Sequence, residues 1–172
     1  MILKRFFGDA AAPERRVYEA IVAAARHSAP YASWGVADNV DGRFDMLALH
    51  MFLMLDRLKG ENGLFRQRLV DEFFADMDRS LREMGVGDIS VGKKVRKMAE
   101  AFYGRVAAYD AGLSLGREAL AAALARNFFP EGNENGAAEK LADYSLAARK
   151  QLGDTKAGAI LAGDIDFPEP QP

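Results

Sequence analysis

Apolar residues recur at helical spacing almost throughout the chain. From Pro13, Val17, Ile21, Ala24 and Ala25 fall on one face of a helix reaching His27. Pro13 suits the first turn, where its missing N–H has no partner to lose. Ser28-Ala29-Pro30 is expected to stop this helix, because Pro30 disfavours αR at Ala29. Tyr31 to Asn39 then reads as an ordered loop, with the chain's only tryptophan at Trp34. Asp41 is the expected N-cap of the second helix. That helix, ended by Gly60, is apolar on nearly every side from Phe44 to Leu58, which predicts a central, surrounded position.

The third helix carries Phe65, Leu69, Phe73, Met77 and Leu81 on one stripe and Asp71, Glu72, Asp76, Asp78, Arg79, Arg82 and Glu83 on a solvated face. Gly85-Val86-Gly87 breaks it, and Asp88 or Ser90 is expected to cap the fourth. The fourth has the cleanest stripe: Val91, Val95, Met98, Phe102, Val106 and Tyr109. After Gly112 an alanine-rich helix is expected over about 115–129, stopped by Pro130. Another follows from about Ala137 to Gln151, and a weaker one from Thr155 to Leu161. No strand and no repeat is evident. The prediction is an all-α, single-domain bundle of six or seven helices over 1–163. A disordered, proline-bearing tail is expected over 164–172.

Composition narrows the chemistry. The chain has 172 residues, a formal net charge of -2 and no cysteine. Disulfides, thiolate nucleophiles and cysteine-ligated metals are excluded. The charge balance argues against DNA binding driven by bulk charge. The longest apolar stretch, Met46 to Leu55, is half the length of a membrane span of about 20 residues. Charges inside Met1–Phe7 argue against a secretory leader. The resulting expectation is a cytoplasmic protein.

Gly87 to Lys93 matches G-x-x-x-x-G-K, yet Lys94 stands where a phosphate-binding loop needs Ser or Thr, and the segment follows a helix rather than a strand. An interhelical turn is the simpler reading. His50 has no partner at i,i+3 or i,i+4 for a shared metal, so a hydrogen-bonded core histidine is favoured over a haem or metal ligand. No credible catalytic residue, metal or cofactor emerges, and no small-molecule substrate. Lys93, Lys94, Arg96 and Lys97 form the densest basic run. It reads as a solvated face, or as a contact for anionic lipid or RNA. Met1–Phe7 reads as packing on the bundle or as a weak membrane anchor. Six methionines at apolar helical positions suit a core, or a groove for varied apolar partners.

Three ordered blocks carry a resemblance. The first is Tyr31-Ala32-Ser33-Trp34-Gly35, Asp41 to His50, and Arg57-Leu58. The second is Phe65-x-Gln67-x-Leu69-Val70-Asp71, Phe74-x-Asp76-Met77-Asp78, and Leu81 to Asp88. The third is Lys93-Lys94 through Met98, Phe102-Tyr103-Gly104-Arg105, and Tyr109. Together, over residues 31–112, they resemble the ubiquinol–cytochrome c chaperone family. The resemblance implies a non-enzymatic, all-helical factor that binds newly made cytochrome b, or another complex III subunit, and assists complex III assembly. It also implies a small partner protein, with work near the ribosome and inner membrane, peripherally attached. On this reading Tyr31, Trp34, Arg43, Phe44 and His50 form the client face, and Lys93, Lys94, Arg96 and Lys97 face the membrane or ribosome. The alternatives are a haem- or metal-binding helical protein using His50, and an interaction domain for another client.

Overall fold

A computed structural model describes residues 12–171; the Met1–Phe7 segment lies outside them. Among the described residues the structure is all-α: α1 Pro13–Ala25, α2 Ser28–Ser33, α3 Val40–Arg57, α4 Gly63–Glu83, α5 Asp88–Leu115, α6 Arg117–Phe128, α7 Ala137–Asp154 and α8 Ala157–Ala162. The seven helices read from periodicity correspond to α1 and α3–α8.

The eighth, α2, falls across the expected helix stop and into the expected loop. Pro30 does not interrupt it, because Pro30 lies in the first turn, where backbone N–H groups have no intrahelical acceptor. His27 caps α2 instead of belonging to α1: its Nδ1 accepts from the Ala29 N–H at 3.2 Å. Other helix starts also shift. Asn39, not Asp41, caps α3, accepting from the Gly42 N–H at 2.9 Å. Gly87 occupies the N-cap of α5, with Asp88 already in its first turn. The G-x-x-x-x-G-K segment is thus a turn from α4 into α5. The fifth helix continues past Gly112 to Leu115, and the break falls at Gly116, whose φ of 112° suits glycine. Gly112 serves close packing: a Cβ there would lie 2.9 Å from Leu120 Cα on α6.

α3 is the central element. Met46, Leu49, Met51, Leu53 and Met54 are fully buried on it, and it packs against α1, α5, α6 and α7. An aromatic layer beside it joins Phe73 on α4 to Phe102 on α5, with ring centroids 4.8 Å apart. Phe52 on α3 meets Tyr109 edge-on at 5.6 Å. Such offset and edge contacts suit the ring quadrupoles.

The tail departs from the disorder expected of it. Residues 164–171 have no regular secondary structure, yet they lie along the bundle. Phe167 packs edge-on against the His50 ring, centroids 5.0 Å apart. Gln151 donates to the Asp166 carbonyl at 3.1 Å, and Trp34 Nε1 donates to the Gln171 carbonyl at 2.8 Å. Proline restricts the backbone and so lowers the entropy lost when an extended segment is pinned. Aromatic anchors supply the burial.

Candidate functional site

α1, α3, α4 and α5 border a groove of about 550 Å³. Its floor is apolar: Val22 from α1, Phe44 and Leu47 from α3, Met77 and Leu81 from α4, Met98 from α5. The i,i+4 stripe of α4 and the stripe of α5 face each other here, so the groove is an extension of the core that the helices do not close. Tyr31, on α2, forms one edge and is fixed there by its hydroxyl, which donates to the Ala25 carbonyl at 2.7 Å. The α2 turn therefore decides where Tyr31 stands.

Three of the five residues expected at a client face come together on this groove: Tyr31, Arg43 and Phe44. Lys94 and Lys97, expected on a separate basic surface, line it too. Lys93 and Arg96 do not line it and are exposed on α5.

Trp34 and His50 are elsewhere. Trp34 is 6% exposed, edge-on to Tyr144 at 5.8 Å and covered by the tail. It is a core residue rather than an open rim. His50 is fully buried between α3 and α7. Its Nδ1 donates to the Met46 carbonyl at 2.8 Å, and its Nε2 accepts from the Tyr144 hydroxyl at 2.7 Å. Burial pushes the Tyr144 phenol pKa well up, which keeps the donating proton in place. Both imidazole nitrogens are engaged, leaving no lone pair for a haem iron or metal ion. Among the described residues, no group of three or more His, Asp or Glu side chains is arranged to hold a metal.

Sequence reading missed the group beneath the groove. Asp45, 5% exposed, receives Arg105 Nε and Nη2 at 2.6 Å each. Arg105 also stacks over the Phe44 ring, 5.3 Å to its centroid, and donates to the Ala101 carbonyl at 3.2 Å. Arg105, itself at the groove, thus braces Phe44, one of the groove's apolar anchors, through its ring face. Burial raises the Asp45 pKa to about 6, with Arg105 pulling it down in opposition. The local sequence signal was an acid at the edge of the apolar run of α3, which calls for a charged partner but does not locate it.

The two buried titrating groups act in opposite directions with pH. Burial lowers the His50 pKa to about 4, so its contribution to stability is complete above its ordinary value near 6.5 and is lost as pH falls through about 4. Asp45, with its raised pKa, contributes fully below the ordinary carboxylate value near 3.8 and loses that contribution as pH rises through about 6. Comparison with His50→Gln separates them. The stability advantage of the native protein over the variant should shrink by about 3 kcal/mol between pH 7 and pH 4. Denaturant unfolding across that range measures it. A pH-independent difference would mean that His50 does not titrate in this way.

The chain has relatives of matching character. A family model described as ubiquinol-cytochrome C chaperone matches residues 32–167. The chain is 27% identical over 156 residues to ubiquinol-cytochrome-c reductase complex assembly factor 1 of Xenopus laevis, a match covering 87% of this chain and 78% of the frog protein. It is 29% identical over 133 residues to ubiquinol-cytochrome c reductase complex assembly factor 1 of Mus musculus, covering 74% of this chain and 45% of the mouse protein, less than half of that relative. The crystal structure of the Cbp3 homolog from Brucella abortus is similar at a TM-score of 0.81 and 48% identity, over 91% of this chain and 88% of that one.

Proposed function

The chain belongs to the ubiquinol–cytochrome C chaperone family, and from that membership we propose that it assists assembly of ubiquinol–cytochrome c reductase, respiratory complex III, by sheltering newly made cytochrome b. The family match across 32–167 carries the reading. The groove gives it a physical basis. A polypeptide with apolar membrane segments needs apolar surface to lie on before it reaches its final partners, bordered by charge that keeps the holder in solution. Binding by burial requires no bond chemistry, so the protein acts without catalysis.

The client face is built on Tyr31, Arg43 and Phe44, while Trp34 and His50 belong to the core beside Tyr144. Lys93 and Arg96, exposed on α5 outside the groove lining, suit a ribosome or an anionic membrane surface. No helix among the described residues is long and apolar enough to cross a membrane. Attachment at the cytoplasmic side of the inner membrane would therefore be peripheral, through such charges or through the small partner protein that the family implies.

Loss of the protein from a respiring cell should lower assembled complex III several-fold while transcripts for its subunits stay level. A photo-crosslinker at Phe44 should capture newly made cytochrome b. Complex III at parental level in the deletion strain overturns the assembly role, and a crosslink to other clients alone overturns cytochrome b as the client.

A further inference from the structure

The groove carries an uneven set of charges. Among its lining cations, Arg43 is held by Asp38 at 2.8 Å and Arg105 by Asp45. Arg26, Lys94 and Lys97 have no ion-pair partner among the described residues. Of the two lining acids, Asp76 is already occupied by the Tyr18 hydroxyl and by Arg79, each at 2.7 Å. Asp41 alone remains, placed in the first turn of α3, where the helix dipole favours a negative charge. Three unpaired cations thus face one unpaired acid, on a protein whose net charge is negative. Elsewhere on α4, Arg82 is paired with Asp78.

The arrangement along α5 gives this charge a direction. Lys94, Lys97, Met98, Ala101 and Arg105 follow three- and four-residue spacing and share one face. Positive charge therefore runs alongside the apolar floor of Leu47, Met77 and Leu81. Met77, Met84 and Met98 supply flexible thioethers that adapt to varied apolar shapes. With an adaptable floor, discrimination falls to the charges, which set specificity and encounter rate more than affinity.

From this complementarity we infer that the groove takes an amphipathic helix of the client whose apolar face is bordered by aspartate or glutamate. The inference rests on the chaperone reading above, which makes the occupant a polypeptide. Acidic side chains along the edge of that helix meet Lys94, Lys97 and Arg26, while its apolar face settles on Phe44, Met77 and Met98.

The test uses two fluorescent synthetic helices of about 18 residues, long enough for five turns. Both carry leucine on one face; one is flanked by glutamate, the other by lysine. The native chain should bind the glutamate peptide at least about tenfold more tightly, and raising salt from about 0.1 M to 1 M should erase the preference. Lys94→Glu with Lys97→Glu, both exposed positions, should abolish the preference with circular dichroism unchanged. Ser80→Trp, which fills the groove, should weaken both peptides. Equal affinity for the two peptides, a preference that survives the double charge reversal, or binding indifferent to Ser80→Trp overturns the inference. Phosphatidylglycerol vesicles that bind through Lys94 and Lys97 while the peptides are not distinguished also overturn it, assigning those cations to lipid. Cytochrome b captured in cells beside undiscriminated peptides removes this inference and leaves the assembly role standing. Discriminated peptides without that capture support the acidic preference and remove cytochrome b as the client.

Discussion

Arg105→Ala is expected to destabilise the protein by about 3 kcal/mol at pH 8, because it leaves the Asp45 carboxylate buried without its partner. Two guanidinium contacts at 2.6 Å are lost together, along with the cation over Phe44. Removing one member of a buried pair exposes the full desolvation penalty of the other, whereas removing both does not. Asp45→Leu with Arg105→Met should therefore recover most of the lost stability. The penalty of the single variant should also be smaller at pH 5 than at pH 8. Without Arg105, the Asp45 pKa rises further above its present value of about 6, and the carboxyl escapes the penalty by taking a proton. Denaturant unfolding of the three proteins at the two pH values decides the matter. If the double variant is as unstable as the single one, packing by the Arg105 stem rather than charge pairing is what matters at this position.

Gly42→Ala should be more damaging, by more than about 3 kcal/mol. Gly42 lies in the first turn of α3, and a Cβ built there would sit 1.9 Å from the Ala37 carbonyl oxygen and 2.9 Å from the Ala37 carbonyl carbon. These are backbone atoms of the segment leading from Trp34 to the Asn39 cap, so no side-chain rotation relieves the overlap. Either that segment moves, loosening Trp34 and the tail it holds, or the start of α3 unwinds and the Asn39–Gly42 hydrogen bond is lost. Gly104→Ala is the matched control. A Cβ at Gly104, inside α5, meets nothing within 4 Å, so the variant should gain about 1 kcal/mol from helix propensity. Thermal melts of the two variants in the same buffer compare them directly. A Gly42→Ala protein that melts with the native one would show that the 34–39 segment yields freely.

Gly42 illustrates where local pattern stops being informative. Glycine near a helix start looks like a permissive turn residue, and nothing in its neighbours announces a carbonyl five residues back pressing on it. Pro30 misled in the same manner: local rules make it a helix stop, while the first turn of α2 accommodates it. The tail misled for a further reason. Asp164 to Pro172 has the composition of a disordered segment, but Phe167 and the Gln171 carbonyl find partners at His50 and Trp34, more than a hundred residues earlier in the chain.

Periodicity alone determined the all-α class, the seven principal helices, the central place of α3 and the apolar stripes of α4 and α5, because a helix buries one face wherever it lies and the spacing of apolar residues records that face. The ordered motif blocks likewise carried the family resemblance. Tertiary structure alone decided what each face meets: Arg105 beneath Asp45, Tyr144 against His50, and Lys94 and Lys97 on the same groove as Tyr31, Arg43 and Phe44. Those pairings span roughly fifty to a hundred positions, and a contact of that range leaves no mark on local spacing, since any complementary residue on the facing helix satisfies it equally well.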